Sequence, residues 1–186
     1  MKKKLGNIAT IQTGVFAKPV NGGEVAYLQV SHFRDDGNLA ARLHPDLYIE
    51  NINPKHLLKQ GDVIFAAKGY KNFAAVYENR IIPAVASTSF FVIRLNDASI
   101  IPEYLAWFIN HPDTQSLLKA NAYGTAMASI PKAFLMAMEI PIPTLDVQQQ
   151  ILKIFELRKR QKILIHEIDT LREILILQKL IQFALE

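Results

Sequence analysis

The sequence predicts an α+β protein: a strand-rich domain with a few short helices over residues 1–145, then one long C-terminal coiled-coil helix over residues 146–186. Three observations lead there. Before residue 145, short β-branched and aromatic runs recur, separated by turn residues at close intervals. Pro141 and Pro143 then break the pattern. From Val147 to Leu185 there is no glycine or proline, and apolar residues return at alternating steps of three and four.

In chain order, the expected strands are Ile8 to Ile11, Val25 to Val30, Asp62 to Ala66, Phe73 to Tyr77 and Phe90 to Leu95. Gly14, Gly22-Gly23, Asp36-Gly37 and Gly69 punctuate them as turn residues. Pro54 through Leu58 reads as a single helical turn leading into Gly61-Asp62. Two helices of about ten residues follow Pro102 and Pro112, because proline is well tolerated in a first helical turn. Trp107 and Phe108 fall at core spacing within the first of these and are expected to pack. The segment from Pro141 to Asp146 reads as a linker, with Asp146 as the helix N-cap, where its charge also suits the helix dipole.

The helix carries a seam at Ile154, Leu157, Gln161, Leu164, Ile168, Leu171, Leu175 and Gln178. Six of these eight are apolar, and a polar residue inside a seam often specifies alignment. Beyond Ile174, Ile176, Leu177, Leu180, Ile181 and Phe183 occupy other faces, so one partner helix cannot cover them all. A helix of about 35 residues spans about 52 Å at 1.5 Å per residue, more than one side of a domain this size can cover. These eight positions are therefore read as a dimerisation surface. The competing reading is a core helix folded back on its own domain. Arg158-Lys159-Arg160 and Lys162 read first as a solvated charge run, with DNA phosphates or an acidic partner surface as alternatives.

Composition bounds the function. With 186 residues and 50% hydrophobic content the chain can build one ordinary core. A net charge of +4 permits nucleic-acid binding without demonstrating it. No cysteine is present, which excludes disulfides and thiolate metal sites. No apolar run approaches the roughly 20 residues of a membrane span, and the basic start lacks a signal-peptide core; no membrane association and a cytoplasmic location are expected. No glycine-rich cofactor turn with an Asn-Pro-Pro-Tyr or Asp-Pro-Pro-Tyr motif occurs, so a methyltransferase is excluded for this chain alone. Pro45-Asp46 and Pro112-Asp113 lack the acidic-x-Lys sequel of a metal-dependent nuclease, and His32, His44, His56, His111 and His166 show no metal-ligand spacing. No catalytic residue, metal or cofactor is therefore expected in this chain.

Several segments in order resemble the specificity (S) subunit of Type I restriction-modification enzymes. They are Leu5-Gly6-Asn7-Ile8 with Gly14; Tyr27-Leu28-Gln29-Val30-Ser31; Gly61-Asp62-Val63-Ile64-Phe65; Lys68-Gly69; Pro102-Glu103-Tyr104-Leu105; Gly124 through Ile130; Ile140-Pro141-Ile142-Pro143; and Gln148-Gln149-Gln150-Ile151 opening a long helix. The resemblance implies a non-catalytic subunit: a target recognition domain reading one half of a split double-stranded DNA site, followed by a spacer helix. It implies docking to the methyltransferase (modification) subunit and, through it, to the restriction subunit, with S-adenosylmethionine held by the methyltransferase. Full-length members carry two such domains and two such helices packed antiparallel. This chain has one of each, which is expected of a natural half-subunit, a silent cassette or a fragment, and suggests a homodimer.

Base reading needs long donors on projecting loops, since Arg and Lys suit guanine edges and Asn and Gln suit adenine. On that ground the DNA-binding candidates are Lys18, Asn21 and Arg34 in the early loops; Lys68, Lys71 and Asn72 around Gly69-Tyr70; and Tyr123, Thr125, Ser129 and Lys132 around Gly124. Arg80 and Ser87-Thr88-Ser89 are weaker choices. For each of these a solvated surface role stands beside DNA contact. Two rivals remain: a recognition domain serving a methyltransferase outside any restriction complex, and a coiled-coil assembly protein whose strand-rich domain binds protein rather than DNA.

Overall fold

A computed structural model of the protein describes residues 1–34, 37–40, 43–69, 72–78, 82–124 and 128–185. The chain divides into two compact units, Met1–Gln148 and Gln149–Glu186.

The first unit is α+β. It opens with β1 (Lys2–Lys4), one turn of helix α1 (Leu5–Ile8), β2 (Ala9–Thr13) and β3 (Val25–Leu28). After β4 (Pro45–Leu47) come β5 (Val63–Ala66), β6 (Ala74–Val76), β7 (Ala84–Ala86) and β8 (Phe90–Leu95). Helices α2 (Pro102–Asn110), α3 (Pro112–Ala120) and α4 (Lys132–Ala137) precede β9 (Glu139–Pro141), and short 3-10 turns lie at Val30–His32, Ile49–Asn51 and Pro54–His56. Both α2 and α3 begin on their prolines, as expected.

Two sheets sandwich the main core. One is antiparallel throughout, in the order β2-β8-β5-β6; the other runs β4-β3-β7, with β3 and β7 parallel. Ala26 and Leu28, Ala84 and Ala86, Ile64 and Ala66, and Phe90 and Val92 are buried in one cluster between them, at the two-residue period a strand imposes. Val25, Tyr27 and Val85 point the other way and are covered by Leu47, Ile52, Val15 and Ala17. That explains why β3 is buried along its whole length rather than alternating. Phe33, Phe73 and Phe90 close the cluster with ring centroids 5.3–6.1 Å apart. The amide of Asn110 on α2 both donates to and accepts from the backbone of Ala74, at 2.7 and 2.8 Å, satisfying an edge strand that would otherwise be open.

Asp62 carries the far end of the sandwich. It is 2% exposed and accepts two hydrogen bonds from the Arg94 guanidinium, at 2.7 and 2.6 Å, and one from the Lys59 amide at 2.8 Å. Those side-chain bonds hold the Arg94 pKa above its ordinary value. The Gly-Asp segment thus works as a structural clamp.

Three expectations need correction. Ile8 ends α1 rather than starting a strand. The Pro141 segment is not simply a linker: Glu139–Pro141 pairs antiparallel with Lys2–Lys4, an edge position that proline tolerates. And Asp146 does not cap the last helix. The Thr144 carbonyl accepts from the Gln148 amide at 3.0 Å, so α5 begins at Leu145 and Asp146 lies inside its first turn, where its charge still faces the positive end of the helix.

Helix α5 (Leu145–Leu185) is 41 residues long, about 60 Å. Its Gln148 belongs to the first unit and is fully buried: the side chain accepts from the Ile101 amide at 2.9 Å and donates to the carbonyls of Ser99 and Pro143 at 2.7 and 2.9 Å. The second unit, taken by itself, has no core. Every large apolar side chain from Ile154 to Leu185 is exposed, none by less than 46%. No helix among the described residues is long and apolar enough to cross a membrane.

Candidate nucleic-acid interface

Antiparallel pairing brings the ends of β2 (Thr13) and β5 (Ala66) to the same end of the large sheet as the starts of β6 (Ala74) and β8 (Phe90). The loops leaving that end are joined by main-chain bonds. The turn Ser87–Phe90 is the junction. Ser87 bridges to Val15 and donates to the Leu28 carbonyl, while the Ser89 carbonyl accepts from Ala67 at 2.9 Å. Gly14 permits this approach, since a Cβ there would sit 2.1 Å from the Ser87 carbonyl oxygen.

The loop after β5 then meets the segment after α3. Lys68 forms a bridge with Ser129, the Gly69 amide donates to Ala128 at 2.9 Å, and the Ile130 amide donates to Ala67 at 2.8 Å. Ser129 in turn exchanges two backbone bonds with Tyr123, at 2.8 and 3.0 Å. Gly69 turns at φ +100° with open space around it, a conformation that favours glycine. Lys68 and Ser129 are half-buried at the base of this patch, whereas Tyr123 is 69% exposed. Lys132 is exposed at the start of α4, two residues beyond Ile130.

Residues 50 or more positions apart in sequence are therefore neighbours: Lys68, Tyr123, Ser129 and Lys132 form one patch. Arg34 lies in a turn closed by its amide on the Asn38 carbonyl, and Gly37 of that turn abuts Ala74, so Arg34 belongs to the same end. Lys18 and Asn21 do not. Their irregular segment runs along the outer face of the smaller sheet, with the Val20 amide donating to the Asp46 carbonyl and the Ala17 amide to the Tyr27 hydroxyl. There an open cleft of about 380 Å³ is lined by Phe16, Lys18, Tyr48, Asn51 and His56 among others. Asn72 spends its amide donor on the Ala66 carbonyl, 2.9 Å away, so it closes the loop rather than offering that donor outward. Lys71, Arg80 and Thr125 lie outside the described residues.

Sequence reasoning passed over Phe16. It is 78% exposed, and its only signal was an aromatic beside Gly14 and Lys18 in a segment without strand periodicity. Trp107 and Phe108 are half-buried, Trp107 against Tyr104 with centroids 5.5 Å apart. Among the described residues no group of three His, Asp or Glu gathers as a metal site, and no buried side-chain nitrogen or oxygen lacks a partner. All eight seam residues of α5 are exposed.

The fold is similar to that of the HsdS subunit from Thermoanaerobacter tengcongensis (TM-score 0.63, 19% identity, covering 87% of this chain and 37% of that one). It is also similar to the Type-I restriction-modification system S subunit from M. genitalium (0.58, 14%, 86% and 39%). A third similar chain comes from a structure of complex assembly and conformational transition of the type I R-M system (0.63, 19%, 87% and 38%). The chain thus spans less than two fifths of the length of each. No curated protein sequence matches it. The Type I restriction modification DNA specificity domain matches residues 1–175, nearly the whole chain, and the protein belongs to that family.

Proposed function

We propose that the protein is a non-catalytic DNA sequence-specificity subunit that reads one half of a bipartite duplex target. In this reading residues 1–145 recognise DNA and residues 146–186 dimerise and space. The observation that carries it is the patch built on Lys68, Tyr123, Ser129 and Lys132, where two distant loops are locked together by backbone bonds at one end of the sandwich. Locked backbone suits base reading, because donors must be held in a fixed register against groove edges. Glycine turns and short loops supply the projection; Lys68, Lys132 and Arg34 supply positive charge for phosphates.

The partners follow from the family. The subunit docks a methyltransferase subunit, which holds S-adenosylmethionine, and reaches the restriction subunit through it, in the cytoplasm. Two chains pair through the exposed seam of α5 in antiparallel fashion, so that one domain stands at each end and the target is an interrupted palindrome.

Selection from random duplexes, with the modification subunit present, tests the reading. Enrichment of a two-part motif is the expected result. No enrichment would instead favour an assembly protein whose strand-rich domain binds protein. Within the patch, Lys68→Ala should weaken DNA binding about fivefold and lower the salt slope by about 1. An unchanged slope removes Lys68 from the phosphate contacts.

A further inference from the structure

The seam of α5 carries its own alignment signal. Continued by the same rule of three and four, it runs from Ile154 through Gln178 to Gln182 and Leu185, all inside the helix and all exposed. Its polar members are Gln161, Gln178 and Gln182. An amide sealed against leucine loses its hydrogen bonds to water and gains none, so registers that place amide against amide are favoured.

Resting on the antiparallel homodimer proposed above, we infer that two copies pair in the one register in which Gln161 of each helix faces Gln178 of the other. In that register Leu164 faces Leu175, Ile168 faces Leu171 and Ile154 faces Leu185, each twice by symmetry. Only Leu157 meets an unlike residue, Gln182. The register one heptad away, toward greater overlap, sets Gln161 against Leu171 and Gln178 against Ile154. It also sets Leu185 against Val147, beside Gln148, whose amide is already bonded to Ser99, Ile101 and Pro143 and is not offered to a partner. One heptad toward lesser overlap leaves Gln161, Gln178 and Gln182 all facing apolar residues. The chosen register brings Arg158 near Lys179, a like-charge contact on a solvated flank, which matters less than a desolvated amide.

The consequence is a length. The Gln148 turns of the two copies would stand about 64 Å apart along the axis, against about 54 Å in the register of greater overlap. One heptad, about 10 Å, corresponds to about three base pairs of duplex.

The absence of cysteine makes the test clean, since the introduced thiols are the only ones present. A disulfide needs Cα atoms within about 7 Å. The double variant Leu164→Cys/Leu175→Cys should oxidise to a covalent dimer, and so should Ile154→Cys/Leu185→Cys at the ends of the rod, where less of the seam is disturbed. The four single variants should stay uncrosslinked. Cross-linking of Leu157→Cys/Leu175→Cys in place of these pairs would overturn the register while leaving the antiparallel dimer intact. Singles that cross-link to themselves would show a parallel pair and overturn both, as would a monomeric size for the unmodified protein from micromolar to millimolar concentration.

Discussion

The two units of this chain solve the burial of apolar residues in opposite ways. In Met1–Gln148 the apolar side chains of the strands are taken up by the chain itself: Phe65, Phe90, Ile64 and Ile93 are at most 1% exposed. In Gln149–Glu186 none of the large apolar residues from Ile154 onward is buried. A single helix offers its residues no neighbours beyond one turn, so its stability has to come from packing against another surface. The difference teaches that the first unit covers its own apolar residues, whereas the second leaves its apolar residues uncovered by its own chain.

Mutations can sharpen that contrast. The largest effect is expected within the first unit. Asp62→Ala leaves the Arg94 guanidinium and the Lys59 amide without their buried partner and should lower the unfolding free energy by about 3 kcal/mol, read from denaturant midpoints, with no change in helix pairing once folded. Next, Ile168→Asp puts a charge in the middle of the seam. It should weaken self-association about 100-fold in sedimentation while leaving the unfolding of Met1–Gln148 unchanged, and a matching loss of domain stability would break the comparison. Smallest is Gln148→Ala, at the border. Leaving the Ile101 amide buried and unpaired should cost about 2 kcal/mol in the first unit. Gln149→Ala, whose side chain is exposed, should cost nothing, because alanine is the better helix former; an equal loss there would show that the cost does not come from the buried hydrogen bonds of Gln148.

Much of the fold was legible because it rests on local pattern. Val25–Leu28, Val63–Ala66, Ala74–Val76 and Phe90–Leu95 sit inside apolar runs bounded by turn residues, and α2, α3 and α5 announce themselves by proline starts or by an uninterrupted seam. The strands Lys2–Lys4, Pro45–Leu47, Ala84–Ala86 and Glu139–Pro141 carry no such mark. Three residues are too few to show a period of two, and β1 and β9 exist only because each finds the other across some 135 positions. The six-residue α4 was missed for the same reason.

The candidate interface divides in the same manner. Sequence alone determined the residue types and their loops: a lysine before Gly69, a tyrosine before Gly124, a helix after prolines with glutamines in its seam. These are properties of short stretches, and backbone propensity and side-chain chemistry suffice to read them. Only the tertiary structure decided that Lys68 and Ser129 are neighbours while Lys18 lies along another face, that Asn72 turns its donor inward, and that Gln148 is buried while Gln149 is not. Those facts depend on which backbone amides and carbonyls find each other once the core has closed, a choice made by packing between segments far apart in the chain.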